Sequence, residues 1–159
     1  MNDSTDPSGD PPPAPHGIDR LDQGRWVRLW HHGAERARGE PERTSGALTV
    51  QGDHFDLMFE TPAGLVTWAV DRVPDDRPQR AWLLPLHRAA YLDFEGEVSG
   101  GRGFVRRDAS GIYRLIERSF DASRRRIELD LIAERWRFEC DATGTWTVVR
   151  FEDLPAVGG

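Results

Sequence analysis

The chain has 159 residues, 21 basic and 27 acidic side chains, a net charge of −6, and 38% hydrophobic residues. That length suits one ordinary domain and, with the 16 glycines counted, the apolar share is globular, which excludes two independent catalytic domains and a mostly disordered chain. Every basic residue is arginine, so chemistry that needs a lysine is excluded too: a P-loop phosphate lysine, a Schiff base, or lysyl-adenylate transfer.

Residues 1–24 hold five aspartates against Arg20, together with a Pro-rich run (DPPPAP). Such a stretch buries too little surface to offset the entropy of ordering, so a disordered tail is expected over 1–24 and one folded domain over 25–153. The start is acidic where a signal peptide would be basic and then apolar, and no apolar run approaches the ~20 residues of a membrane helix. The expectation is a soluble, cytoplasmic protein with no membrane partner. Without the tail the charge is nearly balanced, 20 basic against 22 acidic residues, which leaves room for a polyanionic ligand if arginines gather on one face. The single cysteine, Cys140, cannot form an internal disulfide or a two-thiol centre and reads as a packing residue.

Strand-length segments follow in order: 25–31, 47–51, 54–60, 65–70, 103–107, 112–118, 125–132, 135–140 and 145–151. Polar stretches at 32–46 and 71–80 separate some of them as loops. The alternation is clearest where Ile127, Leu129 and Leu131 interleave with Glu128 and Asp130, and where Trp136, Phe138 and Cys140 interleave with Arg135, Arg137 and Glu139. Turn signals such as Ala63-Gly64, Ser110-Gly111 and Thr143-Gly144 punctuate the series. The fold class expected is all-β, a small antiparallel β-barrel with long loops. The best helix candidate is Leu83–Tyr91, weakened by Pro85.

Within this frame His54 and Asp56 lie two apart on one strand, so imidazole and carboxylate share a face and offer a divalent metal one nitrogen and one oxygen. Phe55, Leu57 and Phe59 form an apolar row on the other face, while Met58 shares the polar one. Spacing alone favours an ordinary hydrogen-bonded surface pair over a site. His31 and His32 end the first strand facing opposite ways, so at most one can join that pair. Downstream, His87, Tyr91, Asp93, Glu95 and Arg102 crowd a short polar segment. His87 suits a general acid or metal ligand, Tyr91 a phosphate or sugar contact, and Arg102 a bidentate phosphate grip. Asp93 and Glu95 fit turn amides or arginine partners as readily as a site. Arginines at 102, 106–107, 124–126, 135 and 137 form either a phosphate-gripping face or a solvated face paired with acids. The six tryptophans read mostly as core, with base stacking as the alternative.

The run HFDLMFETPAGLVTWAV, with the later HRAAYLDFEGEVSGGRGFVRRDASGIY, resembles the 3'-phosphoesterase domain of bacterial ATP-dependent DNA ligase D, the end-processing module of non-homologous end joining. It is especially similar to the small stand-alone proteins of that family. The family pattern is a strand ending in His, a His-x-Asp strand, a Trp-Ala strand, then a His, a Tyr four later and an acidic Gly-containing turn; the match covers about residues 25–151. Position by position, His54 and Asp56 match the metal-binding His-x-Asp, His87 the later histidine and Tyr91 the tyrosine that helps hold the phosphate. His31 takes the place of the first histidine. The resemblance implies a barrel dependent on Mn2+, with Zn2+ or another divalent metal compatible with the same ligands, held by His31, His54, Asp56 and His87. It also implies removal of a 3'-phosphate or a terminal 3'-ribonucleotide from DNA or RNA/DNA 3' ends. A separate DNA ligase or end-joining protein would then finish the repair, in a nucleoid-associated setting. One departure stands out: Met58 occupies the position two after the aspartate, where ligase-associated members carry an arginine. The alternative reading is therefore a catalytically weak or inactive barrel that binds DNA ends or a repair partner.

Overall fold

In the computed structural model, residues 15–32, 53–98, 103–121 and 123–151 are described. They contain nine strands: β1 (Gln23–His32), β2 (His54–Thr61), β3 (Gly64–Val70), β4 (Gln79–His87), β5 (Gly96–Glu97), β6 (Phe104–Phe120), β7 (Arg125–Asp130), β8 (Arg135–Cys140) and β9 (Trp146–Phe151). Eight close an antiparallel ring in the order β1-β2-β3-β4-β9-β8-β7-β6, with β6 returning to pair with β1, and β5 adds to the outer edge of β6. The fold is the expected all-β barrel. Among the described residues no helix is long and apolar enough to cross a membrane.

Alternation builds the interior. Ile127 faces Phe138 and Leu129 faces Trp136 across β7 and β8, all four fully buried. The intervening residues point outward, where Arg137 meets Glu128 at 2.9 Å and Arg126 meets Glu139 at 3.0 Å. Phe59 lies at the centre, with its ring against Trp26, Trp68, Tyr113, Trp136 and Phe138. Trp68 and Phe138 stack at 3.9 Å. Four of the tryptophans (Trp26, Trp68, Trp136 and Trp146) are buried, as is Cys140, whose thiol burial pushes up in pKa.

Several expectations are corrected. The tail does not run to residue 24: a 3-10 segment, Pro15–Arg20, buries Ile18, and with Leu21 it joins the barrel core. Composition concealed this because only two large apolar residues do the anchoring. Gly17, at φ 71, passes so close to β4 that a Cβ there would lie 2.8 Å from Leu86 Cδ2. Residues 1–14 and the proposed strand 47–51 lie outside the described residues. Leu83–Tyr91 is not a helix; β4 runs to His87, and only Ala89–Leu92 forms a 3-10 turn. Pro85 sits where the β3–β4 register shifts, between the pairs Thr67–Leu84 and Leu65–His87, where no ladder bond is required of it. The segments 103–107 and 112–118 are one strand, because Ser110-Gly111 is not a turn. A Cβ on Gly111 would lie 3.0 Å from Trp26 Nε1, so this glycine makes room for an indole inside the barrel.

A second, smaller cluster lies on the outer face. Val27, Leu29, Met58, Leu65 and Val105 are covered by Leu92 and Val98, with Tyr91 and Phe94 packed against them. The segment between β4 and β6 thus lies over β1, β2 and β6 as a second layer, tied down where Arg25 meets Asp93 at 2.6 Å and Glu95 accepts the Arg107 backbone N–H at 2.7 Å.

Candidate metal centre

The site stands at the edge of this second layer. His31 and His54 are direct partners in the β1–β2 register, and Asp56 pairs with Leu29 one step inward on the same face. Leu57 and Phe59 have the opposite parity and anchor β2 in the core, which fixes the direction in which His54 and Asp56 project. His31 Nδ1 lies 3.3 Å from Asp56 Oδ2, and His54 Nε2 lies 3.2 Å from Asp56 Oδ1. The three donor atoms fall within 4.8 Å of one another. Ligands about 2.1 Å from a common ion stand roughly 3.0–3.4 Å apart, so the two short separations, which are also those of His–Asp contacts, are compatible with a shared cation.

His54 and Asp56 are both buried. Burial pushes the Asp56 carboxyl up, but contacts with His31 and His54 and the charges of His54 and His87 outweigh it, and the group is held far below the usual carboxylate range. Asp56 is therefore an anion inside protein. Its Oδ1 is buried with no hydrogen bond, although His54 Nε2 is near. A buried carboxylate oxygen with an unused lone pair, beside two imidazoles, is a donor set that suits a divalent transition metal.

His87 lies outside this three-atom group. Its Nδ1 is 2.9 Å from the Pro85 carbonyl and its ring meets Tyr91 at 5.8 Å, yet it is close enough for its charge to depress Asp56. The structure thus draws together three of the four residues matched as ligands and sets His87 with Tyr91 beside them. His32 faces away, against Asp53 at 3.2 Å and the Phe104 ring. Arg102 lies outside the described residues. Asp93 and Glu95 hold Arg25 and a backbone amide. Met58 does share the face of Asp56, but it is 1% exposed beneath the second layer.

Of the arginines expected as a phosphate face, Arg126 and Arg137 are paired with acids, through Glu139 and Glu128. Arg107 is different. It pairs in register with Leu29, itself opposite Asp56, so it stands two strands from the carboxylate, and it is exposed. No sequence signal separated Arg107 from its neighbours; its face is decided by a register shift between Arg28 and Leu29. No protein-family model matches the chain, and no curated protein matches it either.

Proposed function

We propose that the chain is a divalent-metal-dependent phosphoesterase that heals nucleic-acid 3' ends, removing a 3'-phosphate or 3'-ribonucleotide to leave a 3'-hydroxyl. The observation that carries the reading is the cluster of half-buried His31 with buried His54 and Asp56, whose Oδ1 has no hydrogen-bond partner. The resemblance of the same residues to the ligase D 3'-phosphoesterase supplies the substrate class. Mn2+ is the metal proposed, with Zn2+ compatible with these donors. When bound, such an ion polarises a phosphoryl oxygen and lowers the pKa of water.

The chain's own groups divide the remaining work. His31 Nδ1, His54 Nε2 and Asp56 Oδ1 would hold the ion, with Asp56 supplying the negative charge. His87, whose Nδ1 meets the Pro85 carbonyl, would give a proton to the leaving oxygen from its other nitrogen. Tyr91 offers a hydroxyl beside it, and Arg107 a guanidinium on the same face, in the role the family gives an arginine at the position of Met58. The partners proposed are DNA or RNA/DNA 3' ends, and a separate ligase to seal them.

The test is a labelled primer-template bearing a 3'-phosphate or a single 3'-ribonucleotide, incubated with Mn2+, with chelator and His54→Ala controls. The expected outcome is metal-dependent conversion to a 3'-hydroxyl, reduced at least about a hundredfold in His54→Ala. Turnover that survives chelation or the substitution would sink the assignment. The burial of Met58 favours a second reading, a barrel that binds ends without processing them. That reading predicts retained DNA and no product.

A further inference from the structure

The strand ends that carry the metal donors carry a second set of side chains on their opposite face. Trp30 and His32 flank His31 in sequence. Trp30 pairs with Phe55 on β2 and with Arg106 on β6, while His32 pairs with Phe104. The rings meet in two couples, Trp30 with Phe55 at 4.7 Å and His32 with Phe104 at 5.1 Å. The Arg28 guanidinium lies 6.0 Å over Phe55.

Deeper in the barrel this same face is the aromatic core. At the rim it emerges: Phe104 is 38% exposed, the His32 side chain 53%, and Trp30 and Phe55 are partly exposed. Rings left accessible at a barrel mouth, one residue from a cluster of metal donors, call for a ligand with flat apolar faces. Aliphatic side chains are missing from the set, which argues against the groove of an apolar peptide. The exposed Arg106 guanidinium stands beside Trp30 in register, a cation next to the rings as a phosphate lies next to its base along a nucleic-acid strand, while Arg28 is largely buried over Phe55.

We infer that this rim is a stacking platform for unpaired nucleobases, holding single-stranded nucleic acid beside the metal centre. The inference rests on the function proposed above only in saying which end of the strand reaches the metal; the binding itself needs none. Asp108 holds Arg28 at 2.7 Å and Asp53 holds His32 at 3.2 Å. These carboxylates fix the platform and also offset its positive charge, so stacking more than phosphate attraction carries the affinity. A shallow salt dependence follows.

The test measures binding of fluorescein-labelled (dT)12 to the full chain by anisotropy in EDTA, where no metal-dependent hydrolysis interferes. Inorganic polyphosphate serves as a competitor that has charge but no bases. The parent should bind (dT)12 and resist polyphosphate at equal phosphate concentration, and Phe104→Leu, which keeps an apolar side chain at an exposed position, should bind about tenfold more weakly. Ile112→Ser, an exposed apolar site away from the rim, should keep the parent's affinity and show that the loss is local. Equal affinity in Phe104→Leu and parent, or full displacement by polyphosphate, would overturn the platform without touching the phosphoesterase reading. Base-dependent binding lost in Phe104→Leu would support it even if no phosphoester is ever turned over.

Discussion

The barrel interior and the outer layer beneath residues 88–98 are both apolar clusters built on β1 and β2, yet they are made differently. The interior is sealed on every side by strands and crossed by a continuous network of rings around Phe59. The outer layer is aliphatic, holds seven buried residues, and is covered by a segment with little regular structure. The candidate metal donors sit at the margin of the second, not in the first. A closed ring of strands is difficult to deform, whereas a crossing segment can be positioned without disturbing it. The contrast suggests that the interior sets global stability while the outer layer positions the site.

Truncating each cluster tests that division. Phe59→Ala removes the ring that five aromatic neighbours contact and should cost about 3–5 kcal/mol in urea unfolding, the ordinary penalty for a buried Phe. Mn2+ affinity of the molecules that remain folded should be unchanged. Leu92→Ala, 3% exposed in the covering 3-10 turn, should cost less, about 2–3 kcal/mol, since its neighbours can relax toward solvent. Its Mn2+ affinity should nevertheless fall, as read by calorimetric titration, because Leu92 belongs to the cluster of Leu29 and Met58 that seats the face carrying Asp56. The reverse pattern, with metal affinity falling in Phe59→Ala and holding in Leu92→Ala, would remove the basis of the comparison.

Sequence patterns reveal much of the first region and little of the second. Wherever one face of a strand meets the core and the other meets water, alternation marks it, and β7 and β8 stand close to where the residues predict them. The same parity puts His54 and Asp56 on one face. Other strands lose that signal: β3 is buried almost throughout, and the apolar run of β4, mostly half-buried, shows no period at all. Gly111 reads as a turn because its reason for being small, the Trp26 indole, lies on another strand. The layer over Met58 could not be foreseen, since 88–98 has neither helical nor strand periodicity and its placement depends on long-range ties such as Arg25 to Asp93. For the same reason Met58 looked like a gap in a polar face when it is in fact part of an apolar one.

At the seam between the N-terminal 3-10 segment and the barrel, Tyr113 donates a hydrogen bond to the Glu60 carbonyl at 2.7 Å and lies near the Asp22 amide. Burial pushes its phenol up to about 12. A folded-state value above the unfolded value of about 10 means that the neutral phenol is favoured in the fold. That contribution is complete below about pH 10 and is lost as pH rises toward 12. Stability followed by urea titration should therefore fall across that alkaline window, and fall less in Tyr113→Phe. At neutral pH Tyr113→Phe should cost about 1 kcal/mol, the worth of one hydrogen bond whose carbonyl partner is left unmatched. An identical alkaline slope in the variant would place the loss elsewhere.

The smallest effect expected is a gain. The turn between β7 and β8 holds Ile132 at φ 77, with the Ala133 amide donating to the Leu131 carbonyl at 2.9 Å across it and the Ile132 amide donating to Asp130 at 2.8 Å. A β-branched side chain in this left-handed region crowds its own backbone, at a cost of about 1–2 kcal/mol. Nothing in the packing compensates, since Ile132 is 73% exposed. Asparagine tolerates the same backbone without the branch. Ile132→Asn should therefore raise the urea midpoint by an amount equivalent to about 1 kcal/mol, leaving the slope of the transition unchanged. The turn lies on the far side of β6 from the outer layer, so Mn2+ affinity should not move with it. A variant that gains stability and loses metal would show that the interior and the outer layer are coupled through β6 after all.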